Sequence, residues 1–189
     1  SIFLKKINNE YFNTEGNKEN LKFIIAVAKI LNLKKDLLVK TLKKFKGLEY
    51  RQEIIFHSNK LTIINDSKAT TFSSSASLLK SLTNVYWIVG GQAKKGDRLL
   101  LSKKKCKNIK AYVFGARKKF FISKIKKFMK YESFLDLKSL VKKLSLEIKL
   151  DKNKIHKTIL FSPSAASFDN FKNFEKRGEY FNQLIKKYI

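Results

Sequence analysis

The chain has 189 residues, a formal net charge of +27 and 43% hydrophobic residues. That length and hydrophobic content suffice for a domain with a packed core and exclude a disordered basic tail. No apolar run approaches the roughly 20 residues that a membrane span needs, and the first residues show no signal-peptide pattern. A lone cysteine, Cys106, excludes an intrachain disulfide and a thiol-rich metal site. We therefore expect a cytoplasmic protein without a membrane partner.

The high positive charge raises the question of nucleic-acid binding. Only four of the 42 basic residues are arginines, whose planar fork is favoured in phosphate and base recognition. The lysines are spread along every segment, at positions that fit the solvent faces of amphipathic helices. We expect no nucleic-acid partner, and a basic nucleic-acid-associating module remains an alternative function.

In chain order, the pattern predicts two helices, a hairpin and then alternating strands and helices. The first helix is expected at 20–32, capped by Asn17 or Asn20, and the second at 34–45, ended near Gly47. The hairpin is expected to turn at "HSNK" (57–60). Further strands are expected at 84–91, 109–115, near Tyr131 and at 157–162, and helices at 73–82, 98–105, 117–129, 136–148 and 168–188. This alternation indicates an α/β fold with a mostly parallel sheet, helices on both faces and one antiparallel edge strand.

Small polar residues and lysines follow the predicted strands. The segments are "NDSKATT" (65–71), "GGQAKK" (90–95), "FGARKK" (114–119) and "SPSAAS" (162–167). Because parallel strands end at one edge of the sheet, these segments are expected together, where Lys68 and Lys94 would favour a small anionic ligand. The alternative for each segment is structural: serine and threonine commonly cap helices, and Asp66 could cap the helix that follows it.

Two stretches, "INDSKATT" (64–71) and "FSPSAASFDNFKNFEKRGEYF" (161–181), resemble motifs of the Mur ligase family, and so does the "GG-x-x-K" loop between them. Within that family the resemblance is to the ligases that add D-glutamate in peptidoglycan synthesis. Asn17 and Asn20 match an "HN-x-x-N" motif. The departures from the family pattern are Gly16 and Tyr50 in place of histidine, Thr71 in place of asparagine and Gln92 in place of aspartate.

The resemblance implies one part of a three-domain enzyme. Residues 1–47 would be the end of the central ATPase domain, and residues 48–189 the Rossmann-like, amino-acid-binding C-terminal domain. The segment 46–50 between them would be a hinge. The missing N-terminal and central domains are then expected partners. No G-x-x-x-x-G-K-[ST] loop occurs in the sequence, so we expect a fragment or part of a split enzyme that does not turn over alone. A catalytically inactive truncated fragment is the alternative.

The implied reaction is ATP-dependent ligation of D-glutamate to UDP-N-acetylmuramoyl-L-alanine through an acyl phosphate, with ATP and Mg²⁺ required. The Mg²⁺ ligands are expected upstream, and no catalytic residue or metal ligand is assigned here. By position, the ATP-binding residues would be Asn17, Asn20, Arg51 and Asp66. The D-glutamate-binding residues would be Lys68, Thr70, Lys94, Ser167, Phe168 and Phe174. The alternative for the two phenylalanines is that they are plain core residues. Arg177 is interpreted as the structural partner of a nearby carboxylate.

Overall fold

The structure, a computed structural model, describes residues 6–153 and 155–189. It divides into two compact units, the first ending at Gly47 and the second beginning at Leu48. The assignment of these units to particular enzyme domains stays a prediction.

The first unit is built on two helices, α1 (Glu15–Ile30) and α2 (Lys35–Lys44), preceded by a 3₁₀ turn at Glu10–Asn13. Helix α1 begins earlier than predicted because Thr14 caps it: its Oγ1 accepts from the backbone N–H of Asn17 at 3.3 Å. The predicted caps at Asn17 and Asn20 are therefore wrong, and both residues lie inside the helix. The small core of this unit contains Ile7, Phe12, Leu21 and Leu42.

The second unit contains a six-stranded sheet and five helices among the described residues. In chain order its elements are β1 (Glu53–His57), β2 (Leu61–Asn65), α3 (Phe72–Ser81), β3 (Val85–Gly90), α4 (Lys103–Cys106), β4 (Ile109–Phe114), α5 (Lys118–Ile125), β5 (Lys130–Ser133), α6 (Leu137–Leu150), β6 (Lys157–Phe161) and α7 (Phe174–Tyr188).

The strand order β1-β2-β6-β3-β4-β5 confirms the predicted α/β architecture. Every neighbouring pair is parallel except β1 with β2, which form the antiparallel hairpin at the edge of the sheet. After β2 the chain forms β3, β4 and β5, and only then β6, which lies between β2 and β3 in the sheet. The carboxyl ends of β2, β6 and β3 consequently lie side by side.

The two faces of the sheet bury different side chains because residues alternate along each strand. On one face, Trp87 and Leu160 pack with helices α3 and α5 and with the buried Cys106, whose thiol pKa is raised by burial. On the other face, Ile88 and Phe161 pack with helices α6 and α7. Helices therefore cover both faces, as predicted.

Several helix boundaries differ from the sequence-based predictions. The closing helix begins at Phe174 and not at residue 168, because the Ser167 carbonyl accepts from the N–H groups of Asn170 and Phe171 and forms a turn. Asn173 then caps the helix, with Oδ1 accepting from the Lys176 N–H at 2.8 Å. The helix predicted at 98–105 is limited to α4, and the one predicted at 117–129 to α5.

No helix in residues 6–153 or 155–189 is long and apolar enough to cross a membrane.

Gly90, at the end of β3, offers a direct test of packing at the carboxyl edge. A Cβ there would lie 2.2 Å from the Phe114 carbonyl oxygen, and the φ of +151° disfavours any side chain. We expect Gly90→Ala to lower the free energy of unfolding by roughly 3 kcal/mol or more, through overpacking plus backbone strain. Guanidinium titration followed by circular dichroism measures this.

Gly96→Ala is the control, since its Cβ would meet nothing within 4 Å at a φ of +81°, and should cost only about 1 kcal/mol. Equal losses in the two variants would contradict the packing argument.

Candidate functional site

The candidate site lies at the carboxyl edge of the sheet, where three connecting segments meet. Residues 66–71 follow β2, residues 91–102 follow β3, and residues 162–173 follow β6. Hydrogen bonds hold the first and third segments to neighbouring strands: the Asp66 N–H donates to the carbonyl of Phe161 in β6 at 2.7 Å, and the Gly90 N–H of β3 donates to the Pro163 carbonyl at 3.0 Å. The structure thus places three of the four predicted segments together. The fourth, at 114–119, is adjacent, since a Cβ on Gly115 would lie 3.8 Å from the Gly91 nitrogen.

Asp66 is a buried carboxylate with both oxygens engaged. Ser162 Oγ donates to Oδ2 at 2.7 Å, and the Gln52 N–H donates to Oδ1 at 3.1 Å. Burial raises the pKa of Asp66 to about 7, although the two hydrogen bonds and the nearby Arg51 charge act to lower it. The carboxyl group therefore carries a proton more readily than an ordinary aspartate. It does not cap α3, as one structural alternative held, because Thr71 caps that helix.

Serine hydroxyls continue this buried network inward. The Ser162 and Ser75 hydroxyls lie 2.6 Å apart, and Ser75 lies 2.6 Å from the Ser164 hydroxyl. The Ser162 carbonyl also accepts from the indole N–H of Trp87 at 2.8 Å. The "SSS" run of α3 and the "SPS" run after β6 are thereby joined through side chains.

Ser67 and Arg177 form the second buried contact of the site. The Arg177 guanidinium, 1% exposed, donates from Nε to Ser67 Oγ at 3.1 Å and from Nη2 to the Ser67 carbonyl at 2.7 Å. Its Nη1 has no hydrogen-bond partner among the described residues. Burial lowers the pKa of Arg177 to about 10, and Asp169 acts in the opposite direction. The predicted nearby carboxylate is Asp169, which interacts with Arg177 through its charge, whereas the hydrogen bonds go to Ser67.

Three residues of the first segment, Lys68, Thr70 and Thr71, are nearer the surface. The Lys68 ammonium lies 3.9 Å from the centroid of the Phe174 ring, a cation–π contact. Thr70 is half-buried. Thr71 caps α3, with Oγ1 accepting from the Ser74 N–H at 3.2 Å, so the residue that departs from the family asparagine has a structural role.

The glycine segment after β3 is held against the segment after β6. Gln92 and Ala166 exchange two backbone hydrogen bonds, at 2.9 and 3.0 Å. A Cβ at Gly91 would lie 2.9 Å from the Ala166 carbonyl, so this close approach requires glycine. Lys94 follows on the exposed part of the segment.

The predicted residues after β6 have different environments. Ser167 is buried, whereas Phe168 is 72% exposed and Phe174 is half-buried beneath Lys68. An aromatic ring that is so exposed does not belong to the core, so the alternative of a plain core residue fails for Phe168.

The four predicted ATP-binding residues belong to different units. Asn17 and Asn20 lie in the first unit, where the Asn17 Nδ2 donates to the Tyr11 carbonyl at 2.7 Å and Asn20 is exposed. Arg51 and Asp66 lie in the second unit, and the Arg51 side chain is exposed. No cluster of three or more His, Cys, Asp or Glu side chains able to hold a metal occurs within the part of the chain that the structure describes.

Sequence reasoning missed three residues of this edge. Ser162 holds Asp66, Ser67 receives Arg177, and Asp97 Oδ2 accepts from the Phe72 N–H at 2.7 Å. Ser67 and Ser162 lie in two of the small, polar segments that were predicted to meet at this edge. Nothing in the local pattern distinguishes Asp97, since its partner is 25 residues away.

Comparison with known proteins shows extensive similarity to one kind of enzyme. The chain is 36% identical over 175 residues to the UDP-N-acetylmuramoylalanine–D-glutamate ligase of Wolbachia sp. subsp. Brugia malayi (strain TRS). It is 35% identical over 175 residues to the enzyme of that name from Francisella tularensis subsp. tularensis (strain FSC 198). Over nearly its whole length, the chain is homologous to these ligases. The resemblance to the Mur ligases seen in the motifs is thereby confirmed.

The match covers most of this chain but a minor part of each ligase. It includes 93% and 90% of the chain, and 35% and 41% of the Wolbachia and Francisella ligases respectively. No family model matches the chain.

The buried Asp66 of this ligase homologue predicts an unusual pH dependence of stability. Its pKa of about 7 exceeds the ordinary 3.8, so the folded state holds the proton more tightly and loses stability as pH rises. We expect Asp66 to remove up to about 4 kcal/mol of unfolding free energy between about pH 4 and pH 8, with most of the loss complete by pH 7.

Denaturant unfolding of the wild-type chain and Asp66→Asn at pH 4, 5, 6, 7 and 8 measures the effect. Other groups titrate alike in both proteins, so the difference between the two unfolding free energies isolates Asp66. A difference that stays constant over this range would contradict the prediction.

Proposed function

We propose that this chain is the amino-acid-binding part of an ATP-dependent ligase that adds D-glutamate to UDP-N-acetylmuramoyl-L-alanine in peptidoglycan biosynthesis. The observation that carries the proposal is the 36% identity over 93% of the chain to a ligase of that name. The arrangement of small residues and lysines at one edge of the sheet supports it, because such an edge suits a small anionic substrate.

The proposed chemistry is formation of an amide bond from an activated carboxylate. The alanine carboxylate of the nucleotide substrate takes a phosphoryl group from ATP, the D-glutamate amine attacks the acyl carbon, and phosphate leaves. The work of this chain is to bind the two carboxylates of D-glutamate and to orient its amine. Mg²⁺ would neutralise phosphate charge at ligands outside this chain.

The proposed D-glutamate pocket uses Thr70, Lys94 and Ser167, which come from the three segments that meet at the edge. Lys94 is exposed and supplies a full positive charge, while the hydroxyls of Thr70 and Ser167 supply short hydrogen bonds. Lys68 contributes charge from above the Phe174 ring. Phe168, which is 72% exposed, would cover the ligand with its ring.

The proposed nucleotide contacts in the second unit are Arg51 and Asp66. Arg51 is exposed and can pair with a phosphate. Asp66 fits the role less simply, since it is 4% exposed and both of its oxygens already accept hydrogen bonds from Ser162 and Gln52. It could accept a ribose hydroxyl only through the lone pairs that these two bonds leave unused. Asn17 and Asn20 remain proposed contacts on the first unit.

We also propose that the first unit is the end of the central ATPase domain, with 46–50 as a hinge. Helix α1 supports the domain assignment because it exposes a stripe of large apolar side chains. Phe23, Val27 and Ile30 follow one another at helical spacing and are 72%, 52% and 78% exposed. Such a stripe is typical of a surface covered by further protein, here the part of the ligase that the relatives have in addition.

Titration of the ¹⁵N-labelled chain with D-glutamate tests the proposed pocket. We expect shifts at Thr70, Lys94 and Ser167 with D-glutamate and weaker shifts with L-glutamate. Lys94→Ala should weaken binding roughly tenfold or more, because one charge-assisted hydrogen bond contributes about 1.5–3 kcal/mol.

Lys95→Ala is the matched control, as it removes an exposed lysine from the adjacent position of the same segment. Equal effects of the two variants would mean that general charge attracts the ligand. Shifts confined to other surfaces would overturn the pocket assignment.

The apolar stripe generates a separate prediction. We expect the double variant Phe23→Ser and Ile30→Ser to bind less anilinonaphthalene sulfonate and to scatter less light at high concentration than the wild-type chain, because exposed apolar area drives both. Lys22→Ser and Lys29→Ser, two exposed positions of the same helix, form the control. Dye binding unchanged in the first variant would show that the stripe is not an accessible patch.

A further inference from the structure

Asp97 joins two segments of the candidate site that carry different ligand residues. It closes a tight turn with Lys94, since the Asp97 N–H donates to the Lys94 carbonyl at 3.4 Å and Gly96 takes a φ of +81°. Its Oδ2 accepts from the Phe72 N–H at 2.7 Å, in the first turn of α3. Phe72 lies only two positions after Thr70. A single side chain therefore connects the turn of Lys94 to the segment of Thr70.

This contact changes the interpretation of the α3 N-terminus. The N-terminal N–H groups and the helix dipole make that position a favourable place for an anion. Here Asp97 accepts from the first of these N–H groups, and Thr71 Oγ1 accepts from the Ser74 N–H. A carboxylate of the protein itself therefore occupies the position at the N-terminus of α3 where an anionic ligand would otherwise be expected.

We propose that Asp97 is a positioning residue that sets the separation between Lys94 and Thr70 and thereby the affinity for D-glutamate. The inference rests on the proposed function, because it takes these two residues as part of the D-glutamate pocket. Asp97 does not touch the ligand in this scheme. It anchors the turn of Lys94 to the start of α3, so that the ammonium and the hydroxyl approach the ligand from fixed backbone positions.

A plain helix cap would stabilise α3 without setting affinity, and a matched variant separates these roles. Asp136 caps α6 with the same chemistry, its Oδ1 accepting from the Ser139 N–H at 2.7 Å, but it serves only its own helix. Both aspartates accept a backbone hydrogen bond of 2.7 Å. Asp136→Ala therefore removes an equivalent carboxylate contact without releasing a segment of the candidate site.

The experiment compares Asp97→Ala, Asp97→Asn and Asp136→Ala in the 189-residue chain. Two quantities are measured: hydrogen exchange of the Phe72 amide, and the D-glutamate dissociation constant from ¹⁵N shifts. We expect Asp97→Ala to expose the Phe72 amide to exchange and to weaken D-glutamate binding about tenfold. Asp97→Asn keeps an acceptor oxygen and should stay within about twofold of wild type in both measurements. Asp136→Ala should lower the melting temperature with the dissociation constant unchanged.

The possible failures are distinguishable. Rapid exchange at Phe72 with wild-type D-glutamate affinity in Asp97→Ala would overturn the positioning role. Equal loss of affinity in Asp136→Ala would reduce the effect to general destabilisation and also overturn it. If the wild-type chain does not bind D-glutamate, the proposed function and the ligand part of this inference fail together. The Phe72 exchange rates then decide alone whether Asp97 holds the two segments together. Asp97→Ser, whose shorter side chain cannot reach the Phe72 N–H from the same backbone position, takes the place of Asp97→Ala if that variant does not fold.

Discussion

The hydrogen bonds between the buried Arg177 guanidinium and Ser67 are the interaction that organises the carboxyl edge of the sheet. A buried charge costs several kcal/mol unless hydrogen bonds compensate for lost water, and here Ser67 supplies two acceptors. The Ser67 hydroxyl in turn donates to the Phe174 carbonyl at 2.8 Å. The segment after β2 and the first turn of α7 are thereby held together. This pair therefore ties the segment of Lys68 and Thr70 to the helix that begins at Phe174.

The same helix is positioned by two further contacts that require particular residues. Asn65, fully buried, donates from Nδ2 to the Gly178 carbonyl at 3.0 Å and to Asn182 Oδ1 at 2.7 Å. A Cβ on Gly178 would lie 2.3 Å from the Tyr50 ring, so only glycine allows the ring to pack there. Arg177 and Gly178 are thus each required by a different contact: Arg177 donates to Ser67, and Gly178 leaves room for the Tyr50 ring. Tyr50, which departs from the family histidine, fills the space that this glycine leaves.

The fold was predictable where local pattern is sufficient. Strands β3 and β6 are short apolar runs between turn residues, and helix α6 has a regular apolar period, so both kinds of element were predicted correctly. The start of α7 was not, because residues 168–173 continue the aromatic spacing of a helix while the Ser167 carbonyl draws two N–H groups into a turn. Periodicity carries no information about that competition.

The sequence by itself determined the alternation of strands and helices, the segments at the carboxyl edge and the similarity to D-glutamate-adding ligases. Only the tertiary structure decided which polar groups at that edge face inward. Asp66 meets Ser162 across 96 positions, and Asp97 meets Phe72 across 25. Burial raises the pKa of Asp66 to about 7, and the first N–H of α3 is taken by a carboxylate of the chain. Such partners depend on how distant segments pack, and motif spacing and hydrophobic period describe only neighbours along the chain.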